Sequence, residues 1–90
     1  MFPDYLDNAK VLYYVELNTK DQLLYTDGSV ASDICFYAIC KYENDNKYYL
    51  FACDEKREVV SDYLLDSIEE CKVCASDLTM DNNLLWNKKN

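Results

Sequence analysis

The first two thirds of the chain carry the hydrophobic pattern of β-strands. Short runs of β-branched, aromatic and other apolar residues are separated by polar, turn-forming groups. This spacing is typical of an antiparallel meander. The predicted strands are Lys10–Leu17, Gln22–Thr26, Ile34–Tyr42 and Lys47–Cys53, joined by turns at Asn18–Asp21, Asp27–Gly28 and Glu43–Asn46. A single helical turn is predicted after Pro3, because proline is favoured at the first helical position.

The runs Ile34–Tyr42 and Lys47–Cys53 form the strongest predicted hairpin. Pairing Tyr42 with Lys47 across the turn sets the register and places Cys40 and Cys53 on one face, with Cys35 on the other. Both faces are then largely apolar, whereas a sheet with one wet face alternates apolar and polar residues. We therefore expect these strands to be central, with a cover on each face.

The segment after this hairpin has two interpretations. In the first, a turn at Asp54–Arg57 leads into a fifth strand, Glu58–Tyr63, and a helix begins after Ser67, where the sequence S-x-x-E fits a capping box. In the second, one helix runs from about Glu58 to Ala75. We favour a strand followed by a helix. In one long helix the capping box would lie in the interior, where it has no terminus to cap, and the β-branched pair Val59-Val60 would be less favourable than in a strand.

Together these elements predict one small α+β domain over residues 1–90. It is an antiparallel β-meander of about five strands with one helix, in the C-terminal half, packed on one face. Residues Asp77–Asn83 are expected to be turn-like, and Leu84–Trp86 to add an edge strand or to pack as an anchor.

The acidic residues are concentrated late in the chain. Net charge is −8, and residues 54–81 hold nine acids against three bases, which is −6 of that total. Such charge repels phosphate backbones and anionic membrane surfaces, so we expect neither direct nucleic-acid binding nor membrane association. No apolar run approaches the roughly 18 residues that a membrane span needs. The N-terminal region has acids where a signal peptide has bases, which predicts a cytoplasmic protein.

Residue types for catalysis are scarce. The chain has no histidine and one glycine, so the commonest general base, the usual nucleophile-activating pairs and phosphate-cradling loops are absent. The carboxylate pairs Glu69-Glu70 and Asp62 with Asp66 are expected on a solvated surface, where an acid–base role is not favoured. Its five cysteines are interpreted as reduced thiols. Cys71-x-x-Cys74 would need two further thiolates nearby to hold zinc. We therefore expect no enzymatic activity, no metal and no cofactor, with a cysteine metal site kept as a minor alternative.

Acids and tyrosines together indicate a binding protein. Charge steers association with a basic partner, and tyrosines supply contact area that is common in interfaces. A single short helix should leave part of the aromatic sheet uncovered for that contact. The candidate partner-binding residues are Asp54, Glu55, Glu58, Asp62, Asp66, Glu69, Glu70, Tyr48 and Tyr49, and of the acids Glu69 and Glu70 also belong to the capping box.

In size and composition the chain resembles small acidic inhibitors, which include phage anti-CRISPR proteins that mimic nucleic acids and toxin-neutralising immunity proteins. The resemblance implies an inhibitor, encoded by a phage or mobile element, that occupies a basic surface of a larger protein such as a nucleic-acid-binding effector. An alternative of another class is a self-associating structural domain, in which a homodimer buries the two-sided apolar hairpin.

Overall fold

The computed structural model describes residues 2–24 and 26–89, with the backbone alone for 18–24 and 31–32. The elements are β1 (Tyr5–Leu6), β2 (Ala9–Leu24), β3 (Val30–Lys41), β4 (Tyr48–Cys53), β5 (Val59–Leu65), α1 (Ile68–Thr79) and β6 (Asn87–Lys88). The strands form one antiparallel sheet in the order β1-β2-β3-β4-β5, and β6 pairs with β2. The predicted α+β meander with one late helix is therefore confirmed.

The hairpin β3–β4 has the predicted register. Ile39 lies opposite Leu50, as it must when Tyr42 is paired with Lys47. Both strands are internal in the sheet, as their two-sided apolar pattern indicated. Cys40 and Cys53 share a buried cluster, but the prediction that Cys35 lies on the opposite face is wrong, because Cys35 packs in that same cluster. The alternation breaks at Cys35 because the β2–β3 register shifts there.

Helix α1 covers one face of the sheet, and strand followed by helix is confirmed over one long helix. Its Cys71 and Ala75 are fully buried against residues of β3 and β4 that include Ile39 and Leu50. Leu84 and Trp86 pack at the border of this cluster, which confirms their role as an anchor. The helix ends at Thr79, so the turn predicted for 77–79 is wrong, and the turn-like segment begins only at Met80.

The N-terminal segment covers the other face. Phe2, Leu6 and Ala9 are buried with Phe36 and Phe51 in a second core cluster. Asp7 and Asn8 connect β1 to β2, and both have positive φ, +48° and +69°. Two such residues form the tight turn that joins antiparallel strands. The helical turn predicted after Pro3 is therefore wrong, because this turn directs the chain into a β-hairpin.

Strand β2 is longer than predicted. The expected turn at Asn18–Asp21 is wrong, because the backbone remains a strand from Ala9 to Leu24. The polar residues lie where the register between β2 and β3 shifts. Pairing continues because β3 is long enough to offer partners on both sides of the irregularity, such as Ile34 opposite Asp21. The predicted turn at Asp27–Gly28 is present, with Gly28 at φ +88°. Tyr25, within the predicted strand Gln22–Thr26, lies outside the described residues.

Candidate functional site

The structure places eight of the nine predicted partner-binding residues at the two ends of β4, and Asp62 between them, on β5 opposite Phe51. Tyr48 and Tyr49 begin this strand, whereas Asp54, Glu55 and Glu58 lie beyond its end. The length of the strand separates the two groups by roughly 17 Å, given about 3.3 Å per residue. Strand β5 then returns antiparallel to β4 and brings Asp66, Glu69 and Glu70 back to the end where Tyr48 lies. The nominated residues therefore do not form one continuous surface.

At the far end of β4, Asp54 has a structural role. Its carboxylate accepts hydrogen bonds from the backbone N–H groups of Lys56 (2.9 Å) and Glu58 (3.0 Å) and so holds the turn between β4 and β5. Arg57, at φ +64°, places its guanidinium over the Phe36 ring, 5.2 Å from the centroid. Glu55 and Glu58 are exposed. The turn predicted at Asp54–Arg57 is therefore present, and it accounts for Asp54 structurally.

At the near end, Asp66 and Glu70 are also engaged locally. Asp66 forms an ion pair with Lys47, and this hydrogen bond raises the pKa of the lysine above its usual range. The Glu70 carboxylate accepts a hydrogen bond from the backbone N–H of Asp66 (3.2 Å), and the Ser67 hydroxyl oxygen accepts one from the Glu70 N–H (3.1 Å). These contacts fix the start of α1. Glu69, by contrast, is exposed and forms no hydrogen bond or ion pair with any residue that the structure describes.

The two nominated tyrosines are half-buried and lie on opposite faces of the sheet. Tyr49 packs edge-on against Tyr42, with ring centroids 5.2 Å apart. Tyr48 packs against the cluster beneath α1. Most of the surface of both side chains is thus in contact with other residues of the fold. We expected part of the aromatic sheet to remain uncovered. Instead, the N-terminal segment covers the face opposite the helix.

Two of the exposed large apolar residues lie together on helix α1. Val73 is 60 % exposed and Leu78 is 38 % exposed. With the half-buried Leu65 and Cys74 they line a shallow depression between α1 and β5. Three acids complete its lining: Glu69, Glu70 and Asp77. We call these seven residues the α1 patch.

Helical geometry explains why these residues come together. Glu69, Val73 and Asp77 are four residues apart, and so are Glu70, Cys74 and Leu78, which places each set along one side of a helix. The prediction of turn structure from Asp77 onward concealed this spacing. A helix extended to Thr79 would have revealed it.

The charge of the α1 patch is not neutralised from within the helix. Lys72 is the helix's one basic residue. It lies over the ring of Tyr13, 4.7 Å from the centroid, on the side of the helix that faces the sheet's first strands. Lys47 interacts with Glu70, and Lys72 lines an adjoining depression with Glu69 and Asp77. The patch therefore presents apolar side chains with a border that is acidic and only partly compensated.

Three buried thiols are not activated by their surroundings. Burial raises the pKa of the Cys53 and Cys71 thiols to about 12 and that of Cys40 well above its usual range, so these thiols are protonated at neutral pH. No group of three or more cysteines and carboxylates within residues 2–24 and 26–89 is placed to hold a metal ion. In the same part of the chain, no helix is long and apolar enough to cross a membrane.

Comparisons with protein-family models, with curated proteins and with solved structures find no match to this chain. The arrangement of its own side chains is therefore the basis for assigning a function.

Proposed function

We propose that the chain is a small acidic inhibitor that docks through the α1 patch onto a basic surface of a larger protein. The observation that carries this proposal is the exposure of Val73 and Leu78 inside a border of three acids. Apolar side chains at the centre of a patch gain most from being desolvated, and charged side chains at the rim steer a complementary partner into place.

The charge border selects the class of partner. With −8 net charge and three acids beside the apolar residues, the surface attracts a basic protein and repels nucleic acids, anionic membranes and other acidic proteins. Where the basic surface normally binds DNA or RNA, the chain acts as a competitor in the manner of an anti-CRISPR protein. Where that surface is the active site of a toxin, the chain acts as an immunity protein.

A pair of matched substitutions tests the site. The immobilised chain is used to capture a partner from its native host, and the purified partner is then titrated with Val73→Asp and with Tyr5→Asp. Tyr5 is 62 % exposed in β1, at the opposite edge of the sheet from β5. Burying a valine contributes about 1.5–3 kcal/mol, so Val73→Asp should weaken binding about tenfold or more and Tyr5→Asp should not.

The salt dependence of binding tests separately whether charge contributes to association with the partner. Raising the ionic strength shortens the Debye length from about 10 Å at 0.1 M to about 3 Å at 1 M, and should slow association markedly. Equal affinity of wild type and Val73→Asp, or association that does not respond to salt, would contradict the proposed function. Sedimentation of the purified chain tests the alternative, a self-associating domain, which predicts a tight dimer in the absence of any partner.

A further inference from the structure

The edge of the sheet beside the α1 patch has an unused row of backbone groups. Strand β5 is last in the strand order and pairs only with β4, and the seven residues Val59–Leu65 are all described. In an edge strand, alternate residues point their N–H and C=O groups away from the sheet, where they can pair with an added strand. Peptides that bind in this way gain affinity from the backbone and specificity from alternate side chains.

The two faces of β5 set different requirements for an added strand. On the helix side, Tyr63 and Leu65 adjoin the depression of the α1 patch, which is lined further by Cys74 and Leu78. On the other side, Asp62 lies opposite Phe51, next to the 56 % exposed Leu64. A segment whose side chains alternate apolar and basic fits both faces.

Lysine or arginine suits the Asp62 side for two reasons. The charged group can pair with the Asp62 carboxylate, which forms no hydrogen bond or ion pair with the residues that the structure describes. The aliphatic stem of such a side chain can at the same time cover the exposed Leu64.

Charge also argues against a second copy of this chain as the added strand. Antiparallel pairing of two β5 strands centred on Asp62 would place Asp62 opposite its own copy and Glu58 opposite Asp66. Like charges directly opposite each other on paired strands are destabilising. The same acids that oppose self-pairing favour a basic strand.

We therefore propose that the partner supplies an extended segment of alternating basic and apolar residues, which adds to β5 as a new edge strand beside the α1 patch. This inference rests on the proposed function and specifies how the partner is held. The chemistry of the added segment defines a probe that can be used without the partner. This probe is a short synthetic peptide in which lysine alternates with valine.

Amide hydrogen exchange of the full chain, followed by NMR, tests the inference. In the free chain, every second amide from Ser61 to Leu65 should exchange quickly. The lysine–valine peptide should slow those amides by about tenfold or more, because each gains a backbone hydrogen bond. A peptide in which glutamate alternates with valine is the charge control and should protect none of them.

A pair of charge reversals adds a check on specificity. Asp62→Lys should weaken the lysine–valine peptide several-fold, because it replaces an attraction with a repulsion. Glu16→Lys makes the same change at an exposed position on β2, which β3 and β4 separate from β5, and should have little effect.

Several results would overturn strand addition. They are the absence of binding by the lysine–valine peptide, equal protection by the glutamate peptide, and peptide contacts confined to α1 with β5 amides unchanged. Concentration-dependent protection of β5 in the free chain would assign the edge to a dimer instead. The first three results do not decide the proposed function, which is judged by the captured partner and the Val73→Asp variant, whereas a dimer would support the self-associating alternative.

Discussion

Phe2 stacks face to face on Tyr14, with ring centroids 4.5 Å apart and ring planes inclined by 5°. Phe2 also lies 5.5 Å from the ring of Phe36, and it is 4 % exposed. A residue near the start of the chain thus closes the face of the sheet opposite the helix. The N-terminal segment thus covers this face as α1 covers the other, so the sheet has no wide aromatic surface on either side among the described residues.

Removal of this stacked ring should destabilise the whole fold. Phe2→Ala is expected to lower the free energy of unfolding by about 3–5 kcal/mol, as is usual for a buried phenylalanine. Tyr5→Ala is the matched control, since Tyr5 is largely exposed, and should cost less than about 1 kcal/mol. Urea denaturation measures both, and a Phe2→Ala variant as stable as wild type would show that the N-terminal segment does not cover this face.

The C-terminal cap of α1 offers a stabilising substitution. Met80 has a left-handed conformation, φ +56° and ψ +34°, donates its N–H to the Ser76 carbonyl and is 92 % exposed. Glycine adopts this conformation without the strain of a side chain, so Met80→Gly should raise stability by about 1 kcal/mol. Met80→Ala keeps the strain and should be close to neutral. If thermal unfolding ranks alanine above glycine, the left-handed cap is not present in solution.

The N-terminal cap of α1 gives an independent test of where the helix begins. Ser67→Ala removes the hydroxyl that accepts the Glu70 N–H and should cost about 1 kcal/mol. Ser67→Asp retains an acceptor at the same place and should recover most of the loss. Equal stability of both variants in urea would indicate that the helix starts elsewhere, as it does in the single-helix interpretation of residues 58–75.

Stability should fall steeply in alkali. Burial raises the pKa of Cys53 and Cys71 to about 12, whereas a thiol in the unfolded chain titrates at about 8.5. Above that lower value the unfolded chain loses protons that the native chain retains, so native stability is present below about pH 8.5 and declines up to about pH 12. Each thiol contributes at most about 1.4 kcal/mol per pH unit within this window.

Urea denaturation between neutral pH and pH 11 measures this decline, and Cys71→Ala should make it shallower. Alkylation followed by mass spectrometry gives a second reading, because half-buried Cys74 should react before fully buried Cys71. A stability that is flat across this range would mean that the thiols are accessible to water in the native state.

Local patterns predicted those parts of the fold that local interactions decide. The β3–β4 register follows from turn residues and two apolar faces, and the start of α1 follows from the Ser67 cap. The length of strand β2 could not be predicted, because the polar residues 18–20 lie in a register shift between Glu16 and Asp21, and pairing with the distant β3 on both sides of that shift continues the strand. The cover by Phe2 likewise depends on contacts far apart in sequence.

The candidate site was predicted only in part. Charge counts located the acids, but they could not show that Asp54 holds a turn or that Asp66 pairs with Lys47. The exposure of Val73 could not be predicted from its residue type, because an apolar residue on a helix more often faces the core. Its position outside the core becomes visible only once Cys71 and Ala75 are seen to face the sheet.

Site-specific photo-crosslinking from Val73 tests the central claim most directly. A photoreactive amino acid is placed at position 73 or, as the control, at position 5, and each chain is activated in its native host. Position 73 should form a crosslink to a basic protein and position 5 should not, and the crosslink should disappear in a Glu69→Lys, Asp77→Lys background. Equal crosslinking from both positions, or a crosslink that persists after charge reversal, would contradict the assignment of the α1 patch as the binding surface.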